Sequence, residues 1–194
     1  MALYNLFKNE IYMEVWPKAK AEKHDLAMLV YEDLALIYIY DSTPLTNEVV
    51  RALGISILKL NEDAIINTCV KDGARVIELD KEIPIYALTT VGGRNGAKAL
   101  FYPNIAKIIA DTLKITGYAI LPSSTDELLI IPDAATNAGT VPAEILEGAV
   151  KAINNNPDYA ENNFLSNSVY HYDAKNEIFE LASGWEKRMA KSQE

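Results

Sequence analysis

Apolar positions along this chain switch between a spacing of two and a spacing of three to four, and the switches mark out its elements. Ile11, Met13 and Val15 alternate with Tyr12, Glu14 and Trp16 in strand fashion, while Leu3, Phe7 and Ile11 also suit a helix; Pro17 ends either one. Residues 18–25 (KAKAEKHD) form a charge-rich connector, read as a surface turn or helix end because Glu22 and Asp25 interrupt its basic run. Residues 26–41 hold two apolar stretches around Glu32 and Asp33, and Ile37 to Tyr40 has the β-branched and aromatic content of a central strand. Thr43-Pro44 predicts the opening of a short helix bearing Leu45, Val49 and Leu53, with Gly54 as its left-handed stop. Ser56 predicts the cap of a second helix through Val70, closed by Gly73, and residues 75–79 predict a brief strand.

The stretch over residues 84–133 has the sharpest pattern. It predicts strands at 85–90 and 98–102 flanking Gly92-Gly93-Arg94-Asn95-Gly96, where Asn-Gly suits a tight hairpin. Pro103 then opens a helix lined by Ile105, Ile108, Ile109 and Leu113 and ended by Gly117; strands follow at 118–121 and 128–131, joined through residues 122–126. Beyond a small-residue loop, a helix with Pro142 in its first turn buries Ile145, Leu146, Ala149, Val150 and Ile153 until Asn154 to Pro157 stop it. Residues 169–172 and 177–181 predict a closing hairpin, followed by a charged tail from Gly184, a frayed helix anchored by Trp185. Hairpins alternating with helices imply an α+β fold, a mostly antiparallel sheet with three to four packed helices. The expected organisation is one domain over residues 1–182, with a division into two lobes near 80–84 as the alternative, and a tail over 183–194.

Composition narrows the function classes. With 194 residues, nearly half of them apolar, the chain can bury a real core. A formal charge of −9, from 27 acidic and 18 basic side chains, repels a phosphate backbone, so direct nucleic-acid binding is not expected and a basic protein partner is. Cys69 has no internal disulfide partner and reads as a buried structural thiol. The first ten residues lack the pattern of a signal peptide and no apolar run reaches bilayer length, so a cytoplasmic location without membrane association is expected.

The run from Asp33 to Asp173 carries an ordered set of short segments. These are Asp33-Leu34-Ala35, Leu53-Gly54-Ile55-Ser56, Asn67-Thr68, Ile85-Tyr86-Ala87-Leu88-Thr89, Asn95-Gly96-Ala97 and Tyr102-Pro103. Then come residues 118–124 (YAILPSS) with Glu127 and Pro132, and residues 165–170 (LSNSVY). In this succession the chain resembles an uncharacterised family, a domain of unknown function, of anaerobic Gram-positive gut bacteria and their mobile elements, and more distantly the YtpQ-like proteins. The resemblance implies a fold but no activity, ligand or catalytic residue. The chain departs from that family's usual pattern by a short N-terminus.

The glycine-rich turn at 92–98 (GGRNGAK) could cradle an anion, with Arg94 or Lys98 pairing it, yet a nucleotide loop runs Gly-Lys-Ser/Thr into a helix, and this spacing favours a hairpin turn. Ser123, Ser124, Asp126 and Glu127 cluster at one turn, and His171 is a candidate base for a hydrolase-like site, but no nucleophile elbow surrounds either serine. Cys69, His24 and His171 share no zinc spacing, and Asp111, Asp126, Asp133 and Asp173 stand where aspartates commonly end elements, so no metal and no cofactor are expected. Eleven tyrosines, Tyr170 and Tyr172 among them, suit half-buried strands, and an interface is the alternative that they raise. The candidate interaction residues are Arg94, Asn95, Ser123, Ser124, Asp126, Glu127, Tyr170, His171 and Tyr172.

These readings predict a non-enzymatic cytosolic binding or regulatory protein. Its sharpest form is an inhibitor from a phage or mobile element that occupies the basic groove of a nucleic-acid-binding host protein. The alternatives are a small-molecule enzyme built on the Ser123 to Glu127 turn and a self-assembling structural protein, a homo-oligomer.

Overall fold

The computed structural model describes residues 3–122, 124–134, 141–156 and 163–192. A short helix α1 (Tyr4–Phe7) and a 3-10 turn lead into β1 (Ile11–Pro17), whose alternating burial settles its first segment as a strand. Ile11, Met13 and Val15 point into the core, and Tyr12, Glu14 and Trp16 point away from it. The charged connector coils into α2 (Lys18–Lys23), because Ala21 can bury completely on the sheet beside Ala35 and Ile37 while its lysines stay at the surface. β2 (Met28–Tyr31) and β3 (Leu34–Tyr40) form a hairpin turning at Glu32, which takes the left-handed conformation. β3 lies between β1 and β2, and β4 (Thr43–Pro44) pairs with its end, completing a four-stranded antiparallel sheet.

Thr43-Pro44 therefore belongs to the sheet. The helix starts later, at α3 (Asn47–Leu53), where the Thr46 hydroxyl accepts the Val49 amide and Gly54 takes the left-handed stop with φ 64°. Ser56 caps α4 (Ile57–Lys71) as its sequence predicts, and that helix ends at Asp72.

The second sheet has six strands: β5 (Ala74–Asp80), β6 (Ile85–Thr90), β7 (Gly117–Leu121), β8 (Leu128–Pro132), β9 (Tyr170–Asp173) and β10 (Ile178–Leu181). Their order is β10-β9-β7-β8-β6-β5, every pair antiparallel. The expected strand at 98–102 is instead a 3-10 helix, Gly96–Phe101. Two physical reasons decide this. β6 is already paired on both sides, by β5 and β8, and the turn that a hairpin needs is not made. Asn95 has positive φ but Gly96 does not, and a Cβ at Gly96 would lie 2.1 Å from the Thr89 hydroxyl and 2.3 Å from the Asp126 carbonyl. Gly96 is a glycine of close approach, not of a hairpin turn.

α5 (Ile105–Leu113) follows Asn104, and its stop is Lys114 in the left-handed region; Gly117 already lies in β7. α6 (Ala143–Asn154) buries Ala143, Leu146 and Val150, whereas Ile145, Ala149 and Ile153, expected on the buried side, are exposed. The terminal charged segment forms α7 (Ala182–Lys191).

The fold is α+β, with two antiparallel sheets. One large core joins them: Met13, Leu36 and Tyr38 of the first sheet pack in a cluster with Leu60 of α4, Leu88, Ile120 and Ile130 of the second sheet, and Ile109 of α5. The opposite face of the second sheet is covered by α6 and α7 over Ala119, Leu121 and Val169. β9 lies between these two environments, sending Tyr170 into the large core, and this alternation separates the candidate residues of that strand.

Candidate functional site

A cleft of about 880 Å³ lies where the outward row of β1 meets the end of α4 and the glycine-rich turn. Tyr12, Glu14 and Trp16 form one wall, Ile39 to Pro44 the rim, and Asp72, Gly92 and Lys98 the far side. It is lined by four carboxylates, Glu10, Glu14, Asp41 and Asp72, against two ammonium groups, Lys71 and Lys98. The rings are held in place: Lys71 lies 3.8 Å from the Tyr12 centroid and Lys20 3.9 Å from that of Trp16. Glu14 is fixed at both oxygens, accepting the Trp16 indole N–H at 3.0 Å and the Asn95 side-chain amide at 3.0 Å.

The glycine-rich turn does cradle an anion, and the anion is the protein's own. The Gly92 amide donates to Asp72 Oδ1 at 2.9 Å, and Lys98 Nζ lies 3.1 Å from Asp72 Oδ2. Burial acts to raise the Asp72 pKa, but the Gly92 amide and the Lys98 ammonium outweigh it and hold the carboxyl below its ordinary value. Asp72 is therefore a charged wall of the cleft at neutral pH.

Part of the predicted set assembles at the edge of this cleft. The Asn95 amide donates to Asp126 Oδ1 at 2.8 Å, bringing the 92–96 turn against the 124–127 turn, and Arg94 stands exposed beside it. The Ser124 hydroxyl accepts the amides of Asp126 at 3.2 Å and Glu127 at 3.1 Å, the work of a turn-capping serine. Ser123 lies outside the described residues.

The rest of the set is elsewhere. Tyr170 is fully buried and donates to Asp33 at the β2–β3 turn; that carboxylate also accepts Ser166 at 2.5 Å and Ser168 at 3.0 Å. Burial, followed by the bond to Asp33, drives the Tyr170 pKa far up, so it stays a neutral donor. Two segments far apart in sequence, Asp33-Leu34-Ala35 and residues 165–170, thus meet in one hydrogen-bonded knot. Tyr172 packs in the core against Tyr118, ring centroids 5.5 Å apart.

His171 faces the other way. Its Nε2 lies 2.9 Å from Asp133 Oδ1, and its ring stacks on Trp185 of α7 at 3.9 Å between centroids. Asp133 adjoins Gly117, at the opposite end of the β7–β8 hairpin from the Ser124 turn, so the turn and the imidazole are not brought together. Three of the four aspartates considered for a metal have separate partners: Asp126 serves Asn95, Asp133 serves His171 and Asp173 pairs with Arg188 at 2.8 Å. Among the described residues no cluster of three His, Cys, Asp or Glu side chains could hold a metal ion.

Sequence reasoning passed over Glu14, Trp16 and Asp72 as site residues. The first two had a readable signal, since a carboxylate and two aromatics on the outward row of a strand leave a polar, aromatic face to be explained. Asp72 had none, because its neighbours Gly92 and Lys98 are supplied by the fold.

Comparison with known families finds a model described as a family of unknown function, DUF5688, matching residues 66–174. That span holds the Asp72, Gly92 and Lys98 side of the cleft, while the β1 wall lies outside it. No curated protein and no solved structure matches the chain.

Proposed function

The chain belongs to the DUF5688 family of unknown function, and we propose that it is a non-enzymatic binding protein whose acidic cleft engages a basic protein partner. The observation that carries this reading is the pair of fixed carboxylates, Glu14 and Asp72, facing an open aromatic-lined cleft on a chain of net charge −9. Oriented carboxylates recognise arginine and lysine with little loss of side-chain freedom. Lys20 over Trp16 and Lys71 over Tyr12 already illustrate how these rings accept cations. The sharper form is an inhibitor, encoded by a phage or mobile element, that occupies the basic groove of a nucleic-acid-binding host protein in the cytoplasm. The engagement of Ser124 in its own turn speaks against the hydrolase alternative.

The test is titration of the protein with an arginine-rich peptide, followed by the fluorescence of Trp16 in a Trp185→Phe background. Binding should weaken steeply with salt, since the contributing charges are partly exposed. Glu14→Gln should lower the affinity about five-fold, the equivalent of roughly 1 kcal/mol. Binding indifferent to both salt and Glu14 would remove the cleft from the proposal. Competition between the protein and nucleic acid for a pulled-down basic partner then tests the inhibitor form.

A further inference from the structure

The acidic cleft contains two lysines of the chain itself, and they are held differently. The Lys98 side chain is 12% exposed and pairs with Asp72 at 3.1 Å, so it belongs to the wall. Lys71 is exposed at the last position of α4, and its ammonium lies 3.8 Å from the centroid of the half-buried Tyr12 ring. Among the described residues Lys71 forms no salt bridge, although Glu10, Glu14, Asp41 and Asp72 line the same cleft. The negative end of the α4 macrodipole favours a cation at this position, but it does not direct that cation onto a ring. A cation over a ring at the surface is held weakly and can exchange for another.

The occupied ring stands beside a carboxylate built to hold more than an ammonium. Tyr12 and Glu14 share the outward face of β1, roughly 7 Å apart along the strand. Glu14 is fixed by the Asn95 amide on one oxygen and the Trp16 indole on the other, and each oxygen keeps a second lone pair. A guanidinium lying flat on a ring leaves its edge N–H groups free for a neighbouring carboxylate, whereas an ammonium is a point charge with no plane to stack. Ring and carboxylate together therefore discriminate arginine from lysine.

We propose that Tyr12 and Glu14 form an arginine-selective subsite of the cleft, and that Lys71 is its built-in competitor, a stand-in cation that an arginine of the partner displaces. This rests on the cleft being the site of the basic partner, and it names the side chain that the cleft reads. Once displaced, Lys71 is left beside a ligand of its own sign, so removing it both frees the ring and lifts a repulsion.

Isothermal titration calorimetry with oligo-arginine and oligo-lysine peptides of equal length tests the subsite. The wild-type chain should bind the arginine peptide about five-fold more tightly than the lysine peptide, and Lys71→Met should raise its affinity for the arginine peptide by about five-fold. In a Tyr12→Leu background the arginine preference and most of that gain should vanish, leaving only the part due to the lost charge. Far-UV circular dichroism confirms that each variant is folded, as expected for outward-facing positions. An affinity unchanged or lowered in Lys71→Met, an equal gain without the Tyr12 ring, or equal binding of the two peptides would each overturn the proposal. Binding that still depends on salt and Glu14 beside any of these results removes the subsite and leaves the basic-partner reading standing; loss of that dependence removes both.

Discussion

Removing the Asp33 carboxylate should be the most damaging single polar substitution tried in this protein. Asp33 at the β2–β3 turn accepts hydroxyls from Ser166, Ser168 and Tyr170, tying the first sheet to the second. A hydrogen bond to a charged group contributes about 1.5–3 kcal/mol, and an orphaned buried hydroxyl costs about 1–3 kcal/mol. Ser166 is 1% exposed and Tyr170 is fully buried, so neither can turn freely to water. Some recovery through the half-exposed Ser168 leaves an expected loss of about 3–4 kcal/mol for Asp33→Ala. Tyr170→Phe leaves the carboxylate with two serine donors and should cost about 1.5 kcal/mol. Because the two residues share a bond, the double variant should fall short of the sum by about 1 kcal/mol or more. Urea unfolding followed by circular dichroism measures all three, and Asp33→Ala should lower Tm by roughly 10 °C in a chain of this size. A loss below about 1 kcal/mol for Asp33→Ala, or strict additivity in the cycle, would refute the view that this knot couples the sheets.

Other substitutions probe separate parts of the argument. Gly96→Ala forces a Cβ to within 2.3 Å of the Asp126 carbonyl, and should cost about 3 kcal/mol in urea unfolding; a neutral result would mean that the 92–96 turn can move away from the 124–127 turn. Trp185→Ala removes the ring stacked on His171 and should speed hydrogen exchange in α7 well above that in β7, as mass spectrometry would show. For pH dependence, burial acts to raise the Asp173 pKa, but hydrogen bonds from Asn176 and Arg188 hold it below its ordinary value. A depressed folded pKa means stability present above the unfolded value, near pH 4, and lost as pH falls through the folded value. Arg188→Gln should therefore lower Tm at neutral pH and make its decline on acidification shallower; an unchanged acid limb would exclude Arg188 from that linkage.

Local pattern was enough for much of this architecture. The alternation over 11–16 offers a strand beside the helical spacing of Leu3, Phe7 and Ile11, and burial of its inward row decides for the strand; the Ser56 hydroxyl, by contrast, specifies where α4 begins from neighbours within a turn. The same holds for β7, β8 and the closing β9–β10 hairpin, where apolar runs are bounded by turn residues. The α+β class follows from these local facts together. Residues 96–101 mark the limit. Their Asn-Gly entry and apolar content are those of a hairpin strand, yet β5 and β8 already occupy both sides of β6, and sheet order is a property of contacts far apart in the chain. The cleft depends on the same long-range information, since Glu14 is oriented by Asn95, 81 positions away, and Asp72 by Gly92 and Lys98. A sequence records which side chains could hold an anion or a cation. Which of them meet, and whether a glycine-rich turn is left open or filled by the protein's own carboxylate, is decided only when distant strands pair and bring their ends to the same place.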